Sequence, residues 1–213
     1  MHGWSWIVRL LGAGLLALAS ASATAAPDPQ EAQQLVREST SEMLEVLRAE
    51  AADGQIDLEA IRARLNELIL PHLDFVTMTK LAVGRDWLQA NRDQKRALVE
   101  QFRTLLLRTY TRSLREYNDQ RLEFLPLQPG PQDDRVTVRS EVIQSGGGSR
   151  IPVEYSLRHH DGRWQVYDIS VDGVSLVTTY RSSFSDIIGR EGIGGLIAHL
   201  RQKNAEKAGD GAS

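Results

Sequence analysis

The chain of 213 residues contains no cysteine. It therefore forms no disulfide, has no thiol nucleophile or thiolate metal ligand, and carries no lipid on an N-terminal cysteine. An excess of charge of one sign is also missing, because 25 basic and 28 acidic side chains leave a formal net charge of −3. A nucleic-acid-binding protein needs a basic surface, so we expect no nucleic-acid partner.

Motifs of catalysis and metal binding are missing too. The sequence has no glycine-rich phosphate loop, no G-x-S-x-G turn and no H-E-x-x-H helix. His159 and His160 are adjacent, so in a strand their side chains point to opposite faces, while His72 and His199 have no partner at metal-ligand spacing. We therefore expect no metal, no cofactor and no enzymatic activity.

One acidic residue leaves an enzyme as the alternative. Asp168 is the single acid in a predicted strand of apolar neighbours, where it could act as the base of a small-molecule isomerase or hydratase. The interpretation we favour is a structural carboxylate that accepts hydrogen bonds beside the following turn.

The first 25 residues have the pattern of a secretory signal peptide. An apolar run from Ile7 to Ala19 contains one charge, Arg9, and leads into an Ala23-x-Ala25 cleavage pattern. The run is too short for a comfortable membrane-spanning helix. We expect a soluble periplasmic protein made of a signal peptide (1–25), one domain (26–205) and a flexible tail (206–213).

Apolar residues at helical spacing predict four helices in the first half of the mature chain. The first runs from about Pro29 to Ala52, and Asp57 and Asp74 can cap the second and third. The longest begins near Asn91 and extends to about Tyr117.

The apolar period then falls to two, which predicts antiparallel strands. The first runs from Arg121 to Leu127, and three more follow, with turns at Gly146–Gly148 and Asp161–Gly162. Two helices, over Leu176–Ile188 and Ile193–Leu200, are expected to cover the sheet, with a frayed tail from Lys203. This order of elements is that of an α+β domain.

The segment Trp164–Phe184 resembles the signature of the MlaC family of periplasmic phospholipid carriers, also known as toluene-tolerance proteins. A second similar run contains Phe75, Met78, Gly84 and Trp87. Thr179 departs from the signature, which has Asn at that position. The matching residues of the first run are Trp164, Val166, Tyr167, Asp168, Ile169, Val171, Asp172, Gly173, Val174, Ser175, Leu176, Val177, Tyr180, Arg181 and Phe184.

The resemblance implies a fold like that of nuclear transport factor 2, in which helices enclose an apolar pocket over a curved sheet. It also implies a carrier that holds phospholipid tails inside and shuttles lipid between the inner and outer membranes, which maintains outer-membrane lipid asymmetry. The implied partners are an inner-membrane ABC transporter with an MCE-domain subunit and an outer-membrane lipoprotein associated with a porin. A lipoprotein chaperone is a further alternative, although four initial helices do not suit it.

If the sheet is concave, its apolar face can lie opposite the helices across a gap. A packed core and an open tunnel use the same residue types, so the pattern leaves both open, and the resemblance implies the tunnel. The expected lipid-binding residues are Phe75, Met78, Phe102, Leu106, Tyr110, Val136, Val138, Val153, Tyr155, Leu157, Trp164, Val166 and Tyr180.

Three arginines follow one side of the longest helix. Arg108, Arg112 and Arg115 are four and three residues apart and lie away from its apolar stripe. A solvated face is the ordinary interpretation, and docking to anionic headgroups or to an acidic partner is the alternative.

Overall fold

The computed structural model describes residues 26–52, 57–114, 117, 119–128, 134–144 and 149–209. The helices within these ranges are α1 (Pro29–Ala52), α2 (Leu58–Leu68), α3 (Phe75–Val83), α4 (Arg92–Ser113) and α5 (Leu176–Gly209), with short 3-10 helices at Leu70–His72 and Gly84–Leu88. The strands are β1 (Arg121–Phe124), β2 (Arg135–Ile143), β3 (Arg150–His160), β4 (Arg163–Val171) and β5 (Val174–Ser175).

The five strands form one antiparallel sheet in sequence order. Val138 on β2 pairs with Tyr155 on β3, which in turn pairs with Ile169 on β4. Side chains alternate between the two faces of a strand, so these three residues form a row on one face. A register shift between Ser156 and Leu157 adds a bulge, which increases the local twist of a sheet.

The predicted caps are confirmed. The side chain of Asp57 accepts a hydrogen bond from the amide of Glu59, and that of Asp74 accepts one from the amide of Thr77. Asn91 forms a reciprocal capping box with Gln94. Each cap satisfies an amide that has no partner within its own helix, and this is why these three helices begin where they do.

Three apolar clusters hold the described elements together. One joins α3, α4 and α5 around the buried Phe102, the second packs α1 on the sheet around Val138, and the third joins α1, α2 and the end of α4 around Ile61. The sheet is therefore covered by α1, and the last helix covers α3 and α4.

Helix α5 contains the predicted interruption. Gly192 has φ 68° and ψ −177°, a conformation that glycine adopts easily and that no α-helix contains. The prediction of a frayed chain from Lys203 is wrong, because the helix continues to Gly209. Asn204 is buried and donates a hydrogen bond to the carbonyl of Gln101 on α4, which holds this last part in place.

The predicted ends of two other elements are also wrong. Helix α4 stops at Ser113 rather than near Tyr117, since the amide of Leu114 bonds in a tighter turn to Arg112. Strand β1 stops at Phe124 rather than Leu127, and Pro126 has no amide with which to extend a ladder. The predicted signal peptide, the turn at 146–148 and residues 210–213 of the predicted tail lie outside the described residues. In the described part of the chain, no helix has both the length and the apolar character to cross a bilayer.

Candidate functional site

An apolar crevice of about 50 Å³ lies between α1 and the sheet face that carries Val138. Helix α1 forms one wall, strands β3 and β4 form the other, and the segment between α2 and α3 completes the lining. The hydroxyl of Thr40 donates to the carbonyl of Val36, so this polar side chain has its own partner within α1. The lining residues are Leu35, Val36, Ser39, Thr40, Ile69, His72, Leu73, Tyr155, Val166 and Ile169.

One wall of the crevice is bonded into the sheet through the backbone. Leu73 forms a parallel bridge with Val166, and the amide of Asp74 donates to the carbonyl of Val166 at 2.8 Å. The segment between α2 and α3 is therefore attached to β4 through the backbone.

The opposite wall, α1, is attached through side chains. The indole Nε1 of Trp164 donates to the carbonyl of Asp28 at 3.0 Å, and Nε2 of Gln33 donates to the carbonyl of Leu125 at 2.9 Å. The guanidinium of Arg37 also lies 4.5 Å from the centre of the Phe124 ring. Helix α1 can therefore separate from the sheet without the loss of any hydrogen bond between strands.

Such a separation is needed for a large ligand. A water molecule in the liquid occupies about 30 Å³, so the crevice holds less than two such volumes. An acyl chain requires much more room, and it can enter here only when α1 moves away from the sheet.

A second set of apolar residues forms a packed aromatic core. The ring of Phe102 on α4 makes edge contacts with Tyr180 and Phe184 on α5, with centroid distances of 5.1 and 5.3 Å. The rings of Tyr180 and Phe184 lie 5.6 Å apart. Rings at these distances and angles attract each other beyond their apolar burial, so this cluster joins α4 firmly to α5.

The structure divides the expected lipid-binding residues between these two places. Met78, Phe102 and Leu106, with Phe75 and Tyr180 packed against them, belong to the helical core, whereas Val136, Val138, Leu157, Trp164 and Val166, with Tyr155, belong to the cluster between α1 and the sheet. The two sets therefore belong to separate apolar clusters, and the expectation that they face each other across a gap that holds lipid stays a prediction. Val153 is buried on β3, and Tyr110 is 44% exposed.

The two runs that carry the family resemblance meet in space. Gly84, at the end of α3, has φ +71°, and a Cβ placed on it would lie 3.4 Å from the guanidinium of Arg181 on α5. A residue with a Cβ at position 84 would be strained by its backbone conformation, whereas the Cβ itself would make an ordinary contact with this guanidinium. The two runs therefore form one contact between α3 and α5.

A family model described as MlaC protein matches residues 37–202. The chain belongs to the MlaC family. The prediction made from the two runs is confirmed.

Two individual relatives of this chain support the assignment to the MlaC family. It is 27% identical over 189 residues to toluene tolerance protein ttg2D of Pseudomonas putida, a match that covers 87% of this chain and 86% of that protein. It is 20% identical over 174 residues to the intermembrane phospholipid transport system binding protein MlaC of Haemophilus influenzae, with 81% of each chain covered.

A solved structure gives the same fold. The phospholipid-binding protein from Ralstonia solanacearum, solved in complex with a phospholipid, matches with a TM-score of 0.74 and 31% identity over 83% of this chain and 98% of that chain. The predicted fold class is confirmed, with helices before a curved antiparallel sheet and covering helices after it. The likeness to nuclear transport factor 2 agrees with membership of the MlaC family.

Asp168 has the contacts of a structural residue. Its Oδ1 accepts hydrogen bonds from the amides of Ile169 and Val177 at 2.9 and 3.2 Å, and its Oδ2 accepts one from the hydroxyl of Ser175 at 2.6 Å. The Ser175 hydroxyl in turn accepts from the amide of Thr178, as predicted for a helix cap. In the MlaC-family chain, Asp168 thus joins β4 to the first turn of α5.

Sequence reasoning missed the pairing of Asp74 with Arg158. Asp74 caps α3, but its Oδ2 also accepts a hydrogen bond from Nε of Arg158 on β3 at 2.8 Å, and Nη2 of Arg158 lies 2.7 Å from the same oxygen. Burial alone would raise the pKa of the Asp74 carboxyl, but hydrogen bonds from Thr77 and the guanidinium of Arg158 outweigh it and hold the pKa below its usual range. No pattern in the sequence indicated this pair.

Two of the three arginines lie in the described part of α4 and differ in exposure. Arg112 is exposed, whereas Arg108 is half-buried beside α2, and its Nη1 is closed to solvent. Arg115 lies outside the described residues. Arg108 is therefore less accessible than a solvated face implies, because α2 covers this part of α4, and the docking role of the three arginines stays a prediction.

The histidines are not gathered into a metal site. The ring of His159 packs against Trp164 at 5.3 Å, and Nε2 of His160 lies 3.4 Å from the carboxylate of Asp161. Among the described residues of this MlaC-family chain, no group of three or more His, Asp or Glu side chains could hold a metal ion.

A larger depression of about 580 Å³ lies between α3 and α4. Val76, Trp87 and Val99 line it together with Lys95, Arg96, Glu100 and Arg103. Most of its exposed lining is apolar, but four of its lining side chains are charged, whereas the crevice beside α1 has no Asp, Glu, Lys or Arg in its lining. A charge in contact with hydrocarbon loses hydration. The crevice beside α1 is the better candidate for an apolar ligand.

Proposed function

We propose that this chain is a periplasmic carrier that binds phospholipid and moves it between the inner and outer membranes, which maintains the lipid asymmetry of the outer membrane. One observation carries the proposal. The chain matches a phospholipid-binding protein that was solved with a phospholipid, and the match covers 98% of that protein. The intermembrane transport named for the Haemophilus influenzae relative supports the same role.

The physical need for a carrier is large. Two acyl chains of about sixteen carbons, at ~0.8 kcal/mol per CH₂, cost on the order of 25 kcal/mol to expose to water. A protein cavity as apolar as the bilayer removes most of this cost. Transfer between membrane and carrier then becomes nearly balanced, and small differences in affinity set its direction.

The crevice beside α1 offers a route for the tails. When α1 separates from the sheet, Leu35 and Val36 on one wall and Tyr155, Val166 and Ile169 on the other become available to hydrocarbon. Lipid tails that enter would restore the apolar burial that the separation removes. The phospholipid headgroup would remain outside this apolar space.

We further propose that residues 1–25 direct export and are then removed, and that the mature protein works in the periplasm. Loading and release would take place on partners, since escape of the lipid into water is too costly to be fast. The partners that follow from the family resemblance are the inner-membrane ABC transporter with its MCE-domain subunit and the outer-membrane lipoprotein associated with a porin.

The contacts of Asp168 support a carrier over an isomerase or hydratase. Both of its carboxylate oxygens accept hydrogen bonds from neighbours within nine residues along the chain. A general base must reach a substrate proton, and this carboxylate is committed to the start of α5.

The direct test is lipid extraction and transfer. The protein is purified without detergent, extracted with organic solvent and analysed by mass spectrometry, and we expect phospholipid bound at a fixed ratio. The emptied protein should then move a fluorescent phospholipid from donor to acceptor vesicles. A protein that carries no phospholipid and leaves the transfer rate at its protein-free value would refute the carrier function.

A further inference from the structure

A pocket of about 220 Å³ lies between α2 and α4, apart from the crevice beside α1. Unlike that crevice, it has charged and polar residues in its lining, although most of its exposed surface is apolar. Arg62 and Asn66 line it from α2, Thr104, Arg108 and Thr111 line it from α4, and Leu65 and Leu107 complete it. Two arginines, an asparagine and two threonines thus border a volume several times that of a water molecule.

Two of these side chains contain donors without a partner. Thr111 is 2% exposed, and its hydroxyl makes no hydrogen bond. Arg108, one turn earlier on the same helix, has its Nη1 buried and also without a partner. A buried donor that lacks an acceptor is destabilising, and here two lie one turn apart on the same helix.

The other polar groups of the pocket have their partners. Arg62 pairs with Glu59, Nδ2 of Asn66 donates to the carbonyl of Arg62, and the hydroxyl of Thr104 donates to the carbonyl of Glu100. None of the ion pairs in the described part of the chain includes Arg108. Arg108 thus brings a positive charge close to the hydroxyl of Thr111, and this combination favours a negatively charged acceptor.

We propose that this pocket binds a phosphate group. A phosphate carries several acceptor oxygens in a tetrahedral arrangement, so one group can accept the fork of an Arg108 guanidinium and the Thr111 hydroxyl together. Arg62 on the facing wall supplies a second guanidinium. Nη1 of Arg108 and the hydroxyl of Thr111 are both closed to solvent, so both side chains must rotate toward the pocket before the anion can satisfy the two donors.

The phosphate can have two sources, the phosphodiester of a lipid headgroup or a free phosphate ion. The place of the pocket in the fold favours the headgroup. Leu65 lines it and packs in the apolar cluster of α1, α2 and α4, and Ile69 packs in the same cluster and lines the crevice beside α1. The headgroup source rests on the proposed carrier function, whereas the phosphate site itself does not.

The test uses lipid-free protein and sodium phosphate, with sodium chloride at the same ionic strength as the reference. We expect phosphate to raise the unfolding temperature of the wild type above its value in chloride. Arg108→Gln and Thr111→Val should lose this rise. The matched control is Arg112→Gln, an exposed arginine one turn further along α4, which should respond as the wild type does.

A wild type that unfolds at the same temperature in phosphate and chloride would overturn the proposal, and so would Arg108→Gln with a full response. Both substitutions remove donors that have no partner, so both variants should fold. Thr111→Val keeps the shape of the side chain and gives a second, independent result.

A second titration distinguishes a lipid headgroup from free phosphate as the ligand. Protein loaded with phosphatidylglycerol is titrated with phosphate in the same way. Loss of the response in loaded protein assigns the pocket to the headgroup, whereas an unchanged response assigns it to free phosphate. Since the first titration needs no lipid, failure of the phosphate site and failure of the carrier function give different results.

Discussion

Arg158 on β3 donates a hydrogen bond from Nε to Oδ2 of Asp74, the residue that caps α3, and its Nη2 lies 2.7 Å from the same oxygen. Asp74 is 7% exposed, so this ion pair lies largely out of water. It joins the sheet to the helical half of the molecule across 84 positions of the chain. Because this contact is an ion pair, a change of charge can test how the sheet and the helical half are held together.

Asp74→Asn should destabilise the protein at neutral pH by about 1–3 kcal/mol, because Asn can still cap α3 but leaves Arg158 without its carboxylate. The pKa of Asp74 is lower in the folded state than in the unfolded chain. Its stabilisation is therefore present above the unfolded pKa of about 3.9 and is lost as pH falls through the folded value. Urea unfolding at neutral pH and at about pH 3 measures the free energy of unfolding of both proteins. The difference between wild type and Asp74→Asn should be smaller at the acid pH.

The matched control is Asp57→Asn. Asp57 also caps a helix, but it is exposed and no ion pair with a basic side chain is seen for it among the described residues. We expect this substitution to change the free energy of unfolding by less than about 0.5 kcal/mol, since Asn and Asp are nearly equal as caps. If the free energies of unfolding of wild type and Asp74→Asn differ by the same amount at neutral and acid pH, the charge of Asp74 does not support the fold.

Closure of α1 over the sheet can be tested with a crosslink. The chain has no cysteine, so Val36→Cys with Val166→Cys introduces the single pair. Both positions line the crevice, one on α1 and one on β4. If tails enter by separation of α1, an oxidising reagent that forms a disulfide across the pair should stop phospholipid transfer between vesicles.

The same double variant without the reagent should transfer lipid as before. A second control carries a single cysteine at Val174, a 62% exposed position on β5, and treatment with the reagent should leave its transfer unchanged. Normal transfer by the crosslinked double variant would mean that the lipid enters elsewhere.

Gly84→Ala should lower the free energy of unfolding by about 1–3 kcal/mol, because its positive φ is costly for any residue with a Cβ. Gly194→Ala is the control, since it lies in α5 with open space around it and no positive φ. We expect that variant to be about 0.5–1 kcal/mol more stable than wild type. Thermal and urea unfolding measure both, and equal effects of the two changes would contradict the strain at Gly84.

Asp168→Asn should cost about 1–2 kcal/mol of stability, because an amide cannot accept all three hydrogen bonds made by the carboxylate. Phospholipid transfer should stay within a few-fold of wild type. Asp186→Asn, at an exposed position on α5, is the control for loss of a charge. A small-molecule turnover that disappeared in Asp168→Asn would favour the isomerase or hydratase.

Local features of this fold could be predicted from sequence. Asp57, Asp74 and Asn91 cap helices because a short polar side chain satisfies amides two or three residues away, an interaction that needs nothing distant. The alternation of β2 and β3 follows from the same local geometry. The meander order follows from short connections between antiparallel strands.

Contacts between distant elements could not be predicted in this way. Arg158 and Asp74 have no spacing that relates them. Arg108 was expected on an open face because its own helix has an apolar stripe elsewhere, and only the position of α2 makes it half-buried. The division of the expected lipid-binding residues between two apolar clusters could not be predicted either, because an apolar pattern shows which side of an element is dry and not which other element covers it.

Trp164 gives this protein an optical signal of its own. Its indole is 5% exposed and bonded to the carbonyl of Asp28, at the start of the helix that closes the crevice. Separation of α1 breaks that bond and brings the ring into water, which shifts indole emission to longer wavelength. Beyond the predicted leader the sequence has one other tryptophan, Trp87, so a Trp87→Phe background would report this motion alone, in unlabelled protein and in real time.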